Sequence, residues 1–235
     1  LGPYIANTHT ESNETSRVMT KAYHEAQEII KAHVNADDDD ILLFTGNGST
    51  AAVNKLQRLM ALKGASADQT QCPVVFVTHM EHYSNHASWL ACDVEVVVIP
   101  AAKNKPASDI PAFKRLLDSY KGRRIIGAFS AASNASGICT QLSALAALVH
   151  RYDGICIADF AAAAPYVEIN MHPQREECRL DAVFFSPHKF LGGPGASGVL
   201  IFNKSLYCLT EPDQPGGGTV ESVDKLGNPT YIKDI

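Results

Sequence analysis

Asp181-Ala182-Val183-Phe184-Phe185-Ser186-Pro187-His188-Lys189-Phe190-Leu191-Gly192-Gly193-Pro194-Gly195 is the stretch on which the reading of this chain turns. A short apolar run ends in Ser-Pro-His-Lys, and a loop rich in Gly and Pro follows. The run predicts a buried strand, which Pro187 stops. Lys189 then stands at a strand exit, with small residues after it that leave the space above it open. A lysine held there partly out of water has its pKa lowered, because burial disfavours the ammonium form. The neutral amine is the nucleophile that forms a Schiff base with an aldehyde. The alternative is a surface lysine in a flexible loop, and a lone lysine does not decide between the two.

The rest of the chain narrows the choice. Its 235 residues, 46% hydrophobic and 19% charged, suit one domain with a large core. A net charge of −5 gives no footprint for nucleic acid. No apolar stretch reaches the roughly 20 residues that span a bilayer, and no signal peptide opens the chain. Six cysteines without CxxC spacing argue against a zinc ribbon or a disulfide framework, and for a reducing compartment, cytoplasmic or an organelle matrix. Asp37–Asp40 reads as a solvated loop or an acidic cap rather than a metal site.

Secondary structure alternates. Helical spacing of Met19, Ala22, Tyr23, Ala26, Ile29 and Ile30 predicts a helix over about 12–34, with Ser12 or Thr15 as its cap. Apolar strands are expected at 41–44, 74–77, 94–99, 124–129, 155–158, around Phe184 and Phe185, and at 199–202. Helices are expected at about 51–62, 109–120 and 142–152. Strands without polar alternation are covered on both faces. The fold class is therefore α/β, with a mainly parallel seven-stranded sheet and helices on both faces, and ligands bind beyond the carboxyl ends of its strands.

That is where the motifs fall. Gly46-Asn47-Gly48-Ser49-Thr50-Ala51 follows a strand and opens a helix, an anion site by its N–H groups and helix dipole. It also fits G-x-G-x-x-A, so a nicotinamide dinucleotide turn is a rival; that rival needs an acid at the end of the next strand, where Thr78 and His79 stand. Asp68 lies at the right distance but before that strand. His79, His82 and His86 have a spacing that could hold a metal, although no H-E-x-x-H occurs. Asn134 reads as a turn residue, and Asp159, ending an apolar strand, as a helix cap or a functional acid.

Taken in order, these segments resemble the class V aminotransferase family of pyridoxal-phosphate (PLP) enzymes of fold type I, nearest its cysteine desulfurase and selenocysteine lyase group. The resemblance implies an α/β/α sandwich, the PLP-dependent transferase large domain, over 1–235, with a small C-terminal domain and the extreme N-terminus absent. It implies Lys189 as the Schiff-base residue, His82 stacked on the pyridine ring and Asp159 paired with the ring nitrogen. It further implies Asn134 at the phenolic oxygen, and Gly48, Ser49, Thr50, Ser186 and His188 around the phosphate. His79 and His86 are then structural, and no metal is expected. Gly216–Thr219 resembles the family's glycine-rich active-site loop, and Asn7-x-His9 a substrate-side loop. Ala162 departs from the family, standing where desulfurases place a glutamine, and Ala135 replaces a usual acid. None of the six cysteines matches the catalytic one. The implied protein is a homodimer acting on an amino acid or other primary amine, as desulfurase, lyase or aminotransferase. A non-catalytic remnant of the fold is the alternative that Ala162 favours.

Overall fold

The computed structural model describes residues 5–8, 12–64 and 72–232. The elements run α1 (Glu14–His33), β1 (Asp40–Thr45), α2 (Gly48–Leu59), β2 (Val74–Thr78), α3 (Tyr83–Leu90), β3 (Glu95–Ile99) and α4 (Ile110–Ser119). They continue through β4 (Ile125–Ser130), α5 (Leu142–His150), β5 (Ile155–Asp159), β6 (Ala182–Phe185), β7 (Gly198–Asn203), β8 (Val220–Val223) and β9 (Pro229–Tyr231). The first seven strands form one sheet in the order β1-β7-β6-β5-β4-β2-β3. Only β7 runs against its neighbours, antiparallel to both β1 and β6; the other pairs are parallel.

The absence of polar alternation has the expected cause. Successive residues of one strand enter two different cores: Val74 and Phe76 pack on one face of the sheet, Val75 and Val77 on the other. The first core is closed by Val34, Phe113, Leu117, Leu145 and Val149, from or beside α1, α4 and α5. Phe113 sits edge-on to both Phe76 and Phe129, with ring centroids 5.3 and 6.1 Å away. The second core holds Leu56 of α2 and Trp89 of α3, both fully buried. The architecture is α/β with helices on both faces.

Several local expectations change. α1 is capped by Asn13, whose side chain accepts from the Ser16 N–H at 2.9 Å, and not by Ser12 or Thr15. Its apolar face is only partly inside, and Ile29 is 69% exposed. α2 starts at Gly48, inside the glycine turn. His79 precedes α3, so the three histidines do not share one helical face. The β8–β9 hairpin was not anticipated.

The topology also removes the dinucleotide rival. A dinucleotide-binding βαβ unit needs its two strands side by side and parallel. Here β7, β6, β5 and β4 lie between β1 and β2. Asp68, the acid weighed for it, and His9 lie outside the described residues. Among the described residues no helix is long and apolar enough to cross a membrane.

Candidate active site

Five of the motifs follow the carboxyl ends of β1, β2, β4, β5 and β6, all pointing the same way in the sheet. The structure gathers them into two adjoining groups.

The first is a cradle. Ser186 follows β6 and is 2% exposed; its Oγ accepts from the Ser49 N–H at 2.8 Å and lies 2.5 Å from Ser49 Oγ. Gly48 has φ +67°, and a Cβ on it would stand 2.5 Å from His188 Cε1 and 3.0 Å from Ser186 Oγ. Glycine is thus required twice, by conformation and by space. Gly48, Ser49, Ser186 and His188 are in contact at the first turn of α2, where N–H groups without helical partners favour an anion. Thr50 is exposed in the same turn. The two serine hydroxyls are turned to each other rather than outward.

The second is a narrow cleft whose lining includes His82, Ser130, Asn134, Asp159, Ala162 and Lys189. Asp159 ends β5 and is 4% exposed. Its Oδ1 accepts from the Ala161 N–H at 2.8 Å, and among the described residues Oδ2 accepts from nothing. Burial pushes this carboxyl from the usual 3.8 up to about 7; the Ala161 N–H opposes the rise, the nearby Glu81 charge adds to it, and Lys189 opposes it. A buried carboxylate with a free oxygen is a place for a cation or a protonated ring nitrogen.

Lys189 ends a one-turn 3-10 helix (Pro187–Lys189). It is exposed, and among the described residues its Nζ has no hydrogen-bond or ion-pair partner. This corrects the partial burial expected of it. Phe190 folds down to stack on Phe185 (centroids 5.9 Å, interplanar angle 15°), so no large side chain roofs the lysine.

His82 caps α3: its Nδ1 accepts from the Ser84 N–H at 3.2 Å and lies 2.5 Å from Ser84 Oγ. The cap contact holds the ring in place at the start of α3. Asn134 stands exposed on a turn whose Ser133 Oγ accepts from the Ala135 and Ser136 N–H groups, both at 3.3 Å.

Sequence reasoning missed Glu81, which organises this wall. Its Oε1 accepts from Thr78 N–H and Oγ1 (3.1 and 2.6 Å). Its Oε2 accepts from Asn85 Nδ2, Ser130 N–H and Ser130 Oγ (2.8, 2.8 and 2.6 Å). One carboxylate thereby ties the ends of β2 and β4 to α3. Its place beside His82, inside the segment that carries the family resemblance, was the signal available. Glu81→Ala should cost about 3 kcal/mol in urea unfolding, because it strands donors on Thr78, Asn85 and Ser130, all buried. A loss below about 1 kcal/mol would mean that water replaces the carboxylate at those donors.

A wider apolar groove lies between Leu59, Tyr207 and Tyr231, and its Lys55 and Asp213 are paired with each other at 2.9 Å. The small cleft sets a buried carboxyl beside an amine, and that singles it out.

An α/β domain with an anion cradle, a free amine and a buried acid along one sheet edge belongs to the ligand-binding class that uses strand ends. The sequence model of the aminotransferase class-V family matches residues 1–232, and the chain belongs to that family, one of PLP enzymes. It is 28% identical over 227 residues to a probable cysteine desulfurase of Pyrococcus abyssi, covering 94% of this chain and 52% of that one. A probable cysteine desulfurase of Halalkalibacterium halodurans is 27% identical over 224 residues, again 94% of this chain and 52% of the relative. Among solved structures, an apo cysteine desulfurase from Thermococcus onnurineus superposes with a TM-score of 0.76 at 24% identity, covering 97% of this chain and 54% of that one. The chain spans about half the length of these relatives.

Proposed function

We propose that this chain is the cofactor-binding large domain of a PLP-dependent enzyme of the cysteine desulfurase type, acting on an amino acid as a homodimer in a reducing, cytoplasmic compartment. The observation that carries the reading is Asp159: buried, pushed up to about 7, with one oxygen unclaimed, in the same cleft as an unpaired lysine. A protonated ring nitrogen is the partner that such an acid lacks.

Lys189 Nζ would hold the cofactor through its aldehyde carbon. Asp159 would hold the ring nitrogen, and His82, its ring fixed by Ser84, would lie against the ring face. Asn134 would donate its amide to the phenolic oxygen. The N–H groups at Gly48–Thr50, with Ser186 and His188, would bind the phosphate, and the Ser49–Ser186 hydrogen bond would open to admit it. When bound, PLP supplies an electron sink for charge developing at the substrate's α carbon. Lys189 Nζ, the only amine among the described residues lining the cleft, would move the proton at that carbon. Ala162 offers no hydrogen bond to the phenolic oxygen, which leaves Asn134 as its donor.

The test is an absorbance titration of the purified chain with PLP. The wild type should develop a visible band that shifts on adding an amino acid, and Lys189→Ala should develop none. A folded wild type that stays colourless would overturn the reading and leave a non-catalytic domain of this fold.

A further inference from the structure

A second constellation lies at the opposite end of β1. Asp40, the first residue of that strand, is 2% exposed. Its Oδ2 accepts from the Asp37 N–H at 2.9 Å and from His172 Nε2 at 2.6 Å. Its Oδ1 is buried and has no partner among the described residues. The exposed Asp37 brings Oδ2 to 3.4 Å from His172 Nε2. One ligand atom from each of the three residues lies within 4.8 Å of the others.

His172 is fixed by contacts on the loop after α1. Asn35, at φ +52°, donates Nδ2 to the His172 carbonyl (2.7 Å) and to Asn170 Oδ1 (2.8 Å). The neighbouring Met171 N–H donates to the Val34 carbonyl at 2.9 Å. The imidazole and both carboxylates are therefore preset by backbone that does not depend on an ion.

We propose that Asp37, Asp40 and His172 form a structural site for a divalent transition-metal ion of the zinc class. One imidazole nitrogen and two carboxylates suit such an ion better than Mg2+ or Ca2+, which prefer oxygen alone. Bonds of about 2.1 Å in tetrahedral geometry set ligand atoms about 3.4 Å apart, and the Asp37–His172 pair already has that separation. The 2.6 Å His172–Asp40 contact is a hydrogen bond that the ion would replace, a neutral ring ligating through Nε2 carrying its hydrogen on Nδ1. The ion would also supply a partner to Asp40 Oδ1, which no donor among the described residues reaches. It would clamp the α1–β1 turn to the segment around His172. The clamp lies about 17 Å of strand from the cradle, so it is separate from the cofactor cleft.

The experiment is calorimetric titration of the chelator-treated full chain with ZnCl2, followed by thermal unfolding. One equivalent should bind, and zinc should raise the unfolding temperature where equal MgCl2 does not. Asp37→Asn, at an exposed position that leaves the fold alone, and His172→Gln should each weaken zinc by at least the roughly 10–100-fold that loss of an outer-shell partner costs. No stoichiometric binding would overturn the site, as would an affinity unchanged in Asp37→Asn, which would place the ion on other histidines or cysteines.

Discussion

Asp159→Asn should make the cofactor-free chain more stable at pH 8, by about 3–4 kcal/mol. The folded-state acidity lies at about 7 against 3.8 for the free group. Below about pH 4 the carboxyl is neutral whether the chain is folded or not, and its environment costs nothing extra. Between about pH 4 and 7 the unfolded chain ionises and the folded chain does not, so stability falls as pH rises. Above 7 the loss is complete. Urea unfolding of both proteins across this range should show curves that coincide at acid pH and separate upward. A difference that ignores pH would show that the carboxylate is solvated in the folded state. On the proposed function, the same variant should take up PLP more weakly, since the ring nitrogen would lose its ion pair. A substitution that stabilises the empty domain while weakening the loaded one is the behaviour of a group kept for function.

The second large effect is expected at Gly198, the first residue of β7, paired with Thr45 across the sheet. A Cβ there would meet the Gly48 carbonyl, with its carbon at 2.6 Å, and the Thr45 carbonyl oxygen at 3.0 Å. Both are backbone, so no side chain can swing away. Gly48 cannot retreat either, because the His188 ring stands against it. Gly198→Ala should therefore cost about 3 kcal/mol or more, at the upper end of overpacking, and should abolish the visible band with PLP. A variant with an unchanged urea midpoint and normal colour would show that β7 and the cradle can slide apart.

Much of this was legible in the chain. The inner strands were readable because they are buried on two faces, which leaves runs such as Val74–Val77 and Ile155–Ala158 without polar interruption; the edge strand β3 is apolar yet only partly covered, with Val98 44% exposed. The motifs were placed at strand ends by turn chemistry and by family resemblance, and the fold does gather His82, Asn134, Asp159 and Lys189 at one cleft. What periodicity could not give was the environment of each group. Lys189 was expected partly out of water at its strand exit, and it is exposed. Asp37–Asp40 looked like solvated acids, but Asp40 is buried against His172, a partner far along the chain that local sequence cannot supply. Glu81 stayed invisible for the same reason, as its work is to join the ends of β2 and β4. Ile29 fell on the apolar stripe of α1 and is exposed, because periodicity gives a direction and not a neighbour.

The antiparallel insertion of β7 between β1 and β6 has a consequence in time. β1 lies at the sheet edge and pairs with β7 alone, Asp40 opposite Asn203 and Thr45 opposite Gly198. The first strand to be synthesised must wait for the last of the seven before it can dock. Contacts so distant along the chain slow folding, because loop closure precedes any gain from pairing. Ser49 likewise has no Ser186 to bind until β6 has ended. A nascent chain stopped short of Gly198 would thus carry an unpaired, apolar β1 and an open cradle, a species prone to aggregate. The cofactor would come last, to a site that segments far apart in the chain complete together.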